Sequence, residues 1–344
     1  MVLDRFDLIV VGCGPAGSTA ARIAADRGVS VMIVDRRRSV GMPPRCAGYV
    51  PKWLRERTGF DDGAVLQEVK GIRLVSPEGS EEIDAPGFVL DRARFDKTLA
   101  IHALESGADL ANAIVLRRDG EGVVLRRNGI QARFVGKVIL GSDGPGSVIG
   151  RSIGQSNRTF MAAMQYEVGM RVEDAWSELH RPIEGREGHA WFVPCGRTAR
   201  VGVGLPRLQA KHLKQYLNRF LRRLAAEGRI YTEGILGCTG GLVPINGRLE
   251  TAQSGGVLLA GAAGGMCDPF NGAGIASAVI GGEVVGRIVG DALQGEDPLI
   301  LRDYDTEIGR KIPLGEWGQS ADFGLMTERM HEIAAWRGQQ PSKS

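Results

Sequence analysis

Metal ligands, disulfide pairs and membrane spans are all scarce in this chain. Its five cysteines, at positions 13, 46, 195, 238 and 267, are an odd set without a CxxC pair, which supports neither a disulfide framework nor a zinc site. The five histidines lack ligand spacing, so no metal is expected. The uncharged stretch from Gln253 to Cys267 is rich in glycine and stops at Asp268, well short of the ~20 apolar residues that cross a bilayer. An excess of charge is missing too. With 43 basic residues against 40 acidic, the net charge is only +3 over 344 residues, which gives no whole-chain field for nucleic acid. A hydrophobic content of 43% excludes a disordered chain and is enough for one large or two interlocked domains. Proline is sparse, 15 residues against 50 glycines with no G-X-Y period, so the glycines are expected in tight turns and close backbone approaches.

The N-terminus "MVLDRFDLIVVGCG" places acids and an arginine before a short apolar run, a pattern of a first buried strand rather than a signal peptide. The chain is therefore expected in the cytoplasm. Residues 6–38, "FDLIVVGCGPAGSTAARIAADRGVSVMIVDRRR", give a strand, the turn Gly12-x-Gly14-x-x-Gly17, a helix with Pro15 in its first turn, a stop at Gly28 and a second strand ending at Asp35. In such a βαβ unit the first glycine makes the turn, the second admits a pyrophosphate and the third lets the helix pack on the strand. Gly12, Gly14, Pro15, Ala16, Gly17, Asp35 and Arg36 are the expected dinucleotide set, with the Asp35 carboxylate on an adenosine ribose.

Two further strand-to-glycine turns follow, "VILGSDGPGSVIGR" at 138–151 and "GVLLAGAAGGMCDPFNGAGI" at 256–275. Three such turns are one too many for a simple NAD domain. The later two resemble the DG and GD motifs of flavoproteins with the para-hydroxybenzoate hydroxylase fold, so FAD is the expected cofactor, with Asp143, Gly144, Gly261, Ala262, Gly272, Gly274 and Ile275 joining the set. That resemblance implies a helix start near the flavin pyrimidine edge, where its positive end stabilises reduced flavin.

Between the turns lies strand-rich material. Residues 68–90 alternate around Pro77-Glu78-Gly79 and read as a hairpin. Residues 160–206 add strands with a turn at Cys195 to Thr198, a helix is expected over about 209–227, and a last helical region over about 301–337. The expected fold is α/β: a Rossmann-like FAD-binding domain made of 1–67, 91–155 and 250–298, an inserted antiparallel-sheet substrate domain made of 68–90 and 156–249, and a C-terminal helical region at 299–344.

Six segments in order, "GCGPAGSTAA", "PPRCAGYV", "LDRARFDKTLAIHALESGA", "GSDGPGS", "HAWFVP" and "GAAGGMCDPFNGAGI", resemble the geranylgeranyl reductase family over roughly residues 5–290. The resemblance implies an FAD enzyme that hydrogenates double bonds of isoprenoid chains in lipids, chlorophyll precursors or quinones, with NAD(P)H or ferredoxin as reductant. It further implies that Cys46, in a Pro/Gly loop between Arg45 and Ala47, lies at the reaction centre. It also implies that Arg92 contacts the cofactor and that Trp191 walls the prenyl chain. Arg45 is placed to act on the thiol or on an FAD phosphate. Cys195 and Cys267 are expected to be packing residues. Two departures stand out: Ala262 replaces the aspartate that bonds the ribityl chain in many flavoproteins of this fold, and His189 and Val193 replace the tyrosine and phenylalanine of the family's Tyr-x-Trp-x-Phe-Pro wall. A flavin monooxygenase (aromatic hydroxylase or halogenase) of the same fold is one alternative reading, and a flavin-binding protein without turnover is another.

The helix "QAKHLKQYLNRFLRRLAAEG" carries Leu213, Leu217, Phe220 and Leu224 on one stripe. Lys211, Lys214, Arg219, Arg222 and Arg223 lie on the other face, with no acid before Glu227. That composition suits peripheral contact with anionic lipid at the inner face of the membrane, or an ordinary solvated surface. Phe323, Met326, Met330 and Ile333 in the C-terminal helix are expected to pack.

Overall fold

The protein is described here by a computed structural model covering residues 3–181, 188–295, 297–313 and 323–337. The chain divides into two compact units. One gathers Met1–Met42, Ala93–Arg158 and Pro244–Glu316; the other gathers Pro43–Arg92, Thr159–Val243 and Trp317–Ser344.

The first unit is built on a largely parallel sheet. Its central strand, Leu3–Val11, pairs in parallel with Val31–Asp35 on one side and with Ile130–Gly141 on the other, and Asp109–Asn112 and Val257–Leu259 extend the parallel order. Leu8, Ile9 and Val10 are completely buried and every residue of Val31–Asp35 is buried, the nearly continuous apolar runs of strands covered on both faces. Strands Ile114–Asp119 and Gly122–Arg127 form an antiparallel meander onto Ile130–Gly141.

Two helices of this unit pack together along a glycine stripe. A side chain at Gly282 would collide with the carbonyl of Ala16. One at Gly286 would meet Ile23 and Ala20, and one at Gly290 would meet Arg27. Contacts that advance along both helices in the same sense make Pro15–Asp26 and Ile275–Gln294 parallel neighbours.

The second unit is an eight-stranded sheet. From one edge its strands run Ile230–Pro244, Phe160–Met170, Thr198–Pro206, His189–Cys195, Trp176–His180, Val65–Ser76, Gly79–Leu90 and Tyr49–Pro51. The hairpin around Pro77-Glu78 and the turn between Cys195 and Thr198 form as their sequences dictate. The helix Leu213–Ala226 buries Tyr216, Leu217, Phe220 and Leu224 against Tyr166, Val168, Phe192, Val201 and Val203. Its expected start at 209 is instead a 3₁₀ segment, Arg207–His212. No side chain caps this segment, so the first turn tightens to i→i+3 bonding. On this same face of the sheet, Glu178, paired across strands with Phe192, joins Arg73, Arg229 and His180 at 2.6–2.9 Å.

Residues 43–67, grouped by sequence with the dinucleotide part, carry Tyr49–Pro51, which is hydrogen-bonded to the second sheet. The region from 299 divides. Tyr304 is fully buried in the first unit and donates to the Leu259 carbonyl at 2.7 Å, whereas Phe323–Ala335 packs in the second with Met326 and Met330 fully buried. The Phe323 side chain lies outside the described residues. Among the described residues no helix is long and apolar enough to cross a membrane.

Candidate active site

The Gly12 to Gly17 turn shows a division of labour. Gly12 has φ +106° and Gly17 abuts the Gly12 carbonyl, so neither position accepts a side chain without backbone movement. Gly14 differs, because nothing lies within 4 Å of where its Cβ would stand. Pro15 occupies the first helical position, and the first helical bond runs from Ser18 N–H to Gly14 C=O at 2.9 Å. The Ala16 and Gly17 amides precede that bond at the positive end of a twelve-residue helix, an arrangement suited to an anionic group. The open space at Gly14 and these amides fit the diphosphate of a dinucleotide. Ser142 braces the turn by donating to the carbonyls of Val11 (3.0 Å) and Gly12 (2.9 Å).

Asp35 is buried at the end of the second strand, and its carboxylate already has four partners. One oxygen accepts from Cys13 N–H and Arg37 Nη2, both at 2.7 Å, and the other from Arg37 N–H at 2.7 Å and Arg37 Nε at 3.0 Å. Burial pushes the carboxyl up, but the Arg37 and Cys13 bonds outweigh it and hold Asp35 below the usual carboxylate range. A ribose hydroxyl would have to displace one of those N–H groups to reach this carboxylate. Arg36 is exposed. The basic partner is Arg37, which also donates to the Cys13 carbonyl at 2.9 Å and faces Asp96 at 3.9 Å. Its position two residues past Asp35, where the strand ends, was the available signal.

Asp143 orders its own turn. It accepts from Ser147 Oγ at 2.5 Å and from Val148 N–H at 2.7 Å, while Gly144 beside it has φ +87° and open space at its Cβ position. Gly261 has φ +62° and brings the third turn against Ala16. The carbonyl of Ala262 accepts from Asn157 Nδ2 at 2.9 Å, and the same nitrogen lies 3.4 Å from the Pro145 carbonyl. Asn157, unremarkable in sequence, thus ties the second turn to the third. Gly272 has φ +73°, and Gly274 begins the helix at Ile275 with no side-chain cap and no acid in the first turn. Cys267 is buried against Gly274.

In the second unit, the loop at Cys46 is held at three successive carbonyls by three different donors. Gln165 Nε2 reaches the Cys46 carbonyl at 3.2 Å, Arg200 Nη1 the Ala47 carbonyl at 2.9 Å, and Leu90 N–H the Gly48 carbonyl at 2.9 Å. Gly48 has φ +95°, and a Cβ there would lie 2.5 Å from Arg200 Nη1. The Gly48 N–H points at Cys46 Sγ at 3.3 Å. In that contact the sulfur is the acceptor. Arg45 is exposed, and Arg92 is half-buried as the first residue of the helix Arg92–Glu105.

Strand alternation puts the loop and its wall on one face of the sheet. Trp191, Val193 and Cys195 share that face with Ala47 and Tyr49, while Ala190 and Phe192 point to the helix on the other. Burial raises the Cys195 thiol to about 11, which suits a packing residue. The Trp191 ring lies over Gly202, whose lack of a side chain makes room for it, and donates to Gln165 Oε1 at 3.2 Å. Burial, aided by Arg181, drops His189 to about 3, so its neutral ring, 5.7 Å from that of Trp191, acts as part of the wall. Gln165 and Arg200 were missed by sequence. Each stands between apolar or aromatic neighbours in a largely apolar strand, Met164 and Tyr166 in "FMAAMQYEVGM" and Ala199 and Val201 in "TARVGVGLP", and that placement was the signal.

Residues 5–71 match the model of the FAD binding domain family. The chain is 31% identical over 319 residues to a digeranylgeranylglycerophospholipid reductase of Methanosarcina acetivorans, covering 86% of this chain and 77% of the relative. It is 33% identical over 364 residues to the enzyme of the same name from Methanothrix thermoacetophila, covering 96% and 91%. A crystal structure of a geranylgeranyl bacteriochlorophyll reductase-like protein from Thermoplasma acidophilum superposes with a TM-score of 0.83 at 25% identity, covering 98% of this chain and 89% of that one. A flavin-dependent brominase, at 17% identity and TM-score 0.70 over 89% of this chain and 84% of its own, shares the fold. Similarity at this level along nearly the whole chain, together with the FAD-type turns, shows that the protein belongs to the geranylgeranyl reductase family of FAD-dependent oxidoreductases.

Proposed function

We propose that this protein saturates the isolated double bonds of geranylgeranyl chains carried on a glycerophospholipid. The observation that carries the reading is the 31–33% identity over most of the chain with reductases named for that lipid, in a protein that presents Cys46 on a clamped loop. The hydride for one alkene carbon would come from reduced FAD when it is bound. The chain's own residues do the rest. Gly12, Gly14 and Gly17 with the Ala16 amide receive the diphosphate, and Asp35 with Arg37 receives the ribose. Cys46 gives a proton to the second alkene carbon, while Trp191 and His189 form an apolar wall for the prenyl chain. A nicotinamide or a ferredoxin-class protein returns the two electrons.

Peripheral lipid contact belongs to the same reading. From 188 through 226 the sequence contains no acidic residue, and Lys211, Lys214 and Arg222 are exposed beside Leu208, which is 96% exposed. Such a surface suits anionic headgroups. Arg223 is partly committed, since it bonds His180 Nδ1 at 2.9 Å.

Anaerobic incubation of the dithionite-reduced protein with geranylgeranyl phospholipid, geranylgeranyl diphosphate, a geranylgeranylated chlorophyll precursor and a prenylquinone tests the reading. Mass spectrometry should show pairs of hydrogens added to the phospholipid first. Hydrogenation of another member of the panel alone would replace the substrate, and no addition to any member would sink the activity.

A further inference from the structure

Gln165 has an unusual placement. It is a buried amide, 8% exposed, on a strand whose neighbours are apolar, and its two ends serve two different elements. Its Nε2 donates to the Cys46 carbonyl and its Oε1 accepts from the Trp191 indole, each at 3.2 Å. The glycine paired with both residues across the sheet, Gly202, leaves the gap in which they meet. We propose that Gln165 is a positioning residue for the reaction, a two-way clasp that sets the distance between the Cys46 loop and the Trp191 wall. The proposal rests on the reading that Cys46 and Trp191 serve the reaction.

The chemistry of the clasp is specific to an amide of this length. One end must donate to a carbonyl and the other must accept from an indole N–H. A carboxylate fails at the first end because two acceptors then face each other, whereas a protonated carboxyl succeeds because its O–H donates and its C=O accepts. Gln165→Glu should therefore lose the clasp above the titration of the new carboxyl and regain it below. Gln165→Met, of similar shape, should lose it at every pH.

Iodoacetamide labelling of the protein as purified, read by peptide mass spectrometry as the ratio of Cys46 to the exposed Cys238, measures the clasp without depending on turnover. In Gln165→Glu the ratio should rise about tenfold at neutral pH, the effect of losing one buried hydrogen bond, and return to within twofold of wild type on acidification. Gln165→Met should show the rise without the return, and its Trp191 emission, isolated by subtraction of a Trp191→Phe background, should shift to the red. If Gln165→Glu does not fold, Gln165→Met decides. An unchanged ratio in the variant that folds, or a rise in Gln165→Glu that acid does not reverse, would overturn the proposal. Labelling that behaves as expected in a protein inert toward every prenyl compound would keep the clasp and discard the reaction.

Discussion

Replacing Gly14 with valine should separate cofactor binding from folding. Gly14 sits at φ −94° and ψ −175°, which valine adopts without strain, and no atom lies within 4 Å of its Cβ position. The folding cost is then limited to a poorer residue at the helix start, below ~1 kcal/mol. Binding should suffer far more, since the new side chain fills the space through which a diphosphate reaches the Ala16 and Gly17 amides. Two charge-assisted bonds at ~1.5–3 kcal/mol each amount to ~3–6 kcal/mol, between roughly a hundredfold and ten-thousandfold in affinity. Gly17→Ala is the counterpart. Its methyl group would strike the Gly12 carbonyl and approach Ser142 Oγ at 2.5 Å, an overpacking that costs ~1–3 kcal/mol of stability. Apoprotein unfolding in urea and a fluorescence titration with FAD measure the two effects. Gly14→Val that binds FAD like wild type, or that unfolds as easily as Gly17→Ala, would refute the assignment of that space to the diphosphate.

Cys46→Ala should keep FAD and the fold while prenyl reduction falls steeply, and Cys46→Ser should fall less if the thiol gives the proton; product analysis with a confirmed prenyl substrate decides. Burial would raise the Glu178 carboxyl, but the bonds from His180 and Arg229 hold it from 4.5 down to about 2. A depressed carboxyl contributes stability above its unfolded value and loses it as the pH falls through the folded one. Roughly 3 kcal/mol present above pH 4.5 should thus disappear between there and pH 2, and Glu178→Gln should remove that part of the acid dependence in urea titrations at a series of pH values. Recovery of the protein on anionic liposomes should exceed that on neutral ones and weaken with salt, because exposed charges are screened over ~10 Å at 0.1 M. Equal recovery on both would mark Lys211, Lys214 and Arg222 as an ordinary solvated face.

The elements legible in the sequence are those whose signal is local. Leu3–Val11, Pro15–Asp26 and Val31–Asp35 follow from an apolar run, a glycine turn and a proline at the first helical position. The hairpin at Pro77-Glu78 follows from alternation. The membership of residues 43–67 is not local, because the three-residue strand Tyr49–Pro51 is defined only by its partner forty residues away. The candidate site divides along the same line. Cys46 and Trp191 stand in recognisable loops and strands, but Gln165, Arg200 and Asn157 act across 119, 153 and 105 residues of chain. A polar side chain isolated in an apolar strand announces that it has a partner without saying which.

The glycine stripe on Ile275–Gln294 has an electrostatic consequence. Parallel helices side by side have parallel dipoles, which repel, and anionic ligands at their positive ends offset that repulsion. The two ends are also offset along the axis. Gly282, Gly286 and Gly290, eighth, twelfth and sixteenth in their helix, lie against the side chains of Thr19, Ile23 and Arg27, each three places earlier when counted from Pro15, so three residues at ~1.5 Å each carry the longer helix ~4.5 Å beyond the shorter. The pair therefore acts as a ruler with two positive marks. A dinucleotide with its phosphates at the nearer mark would extend its redox ring toward the farther one, and the stability of this unit should rise with the logarithm of FAD concentration once the site is filled.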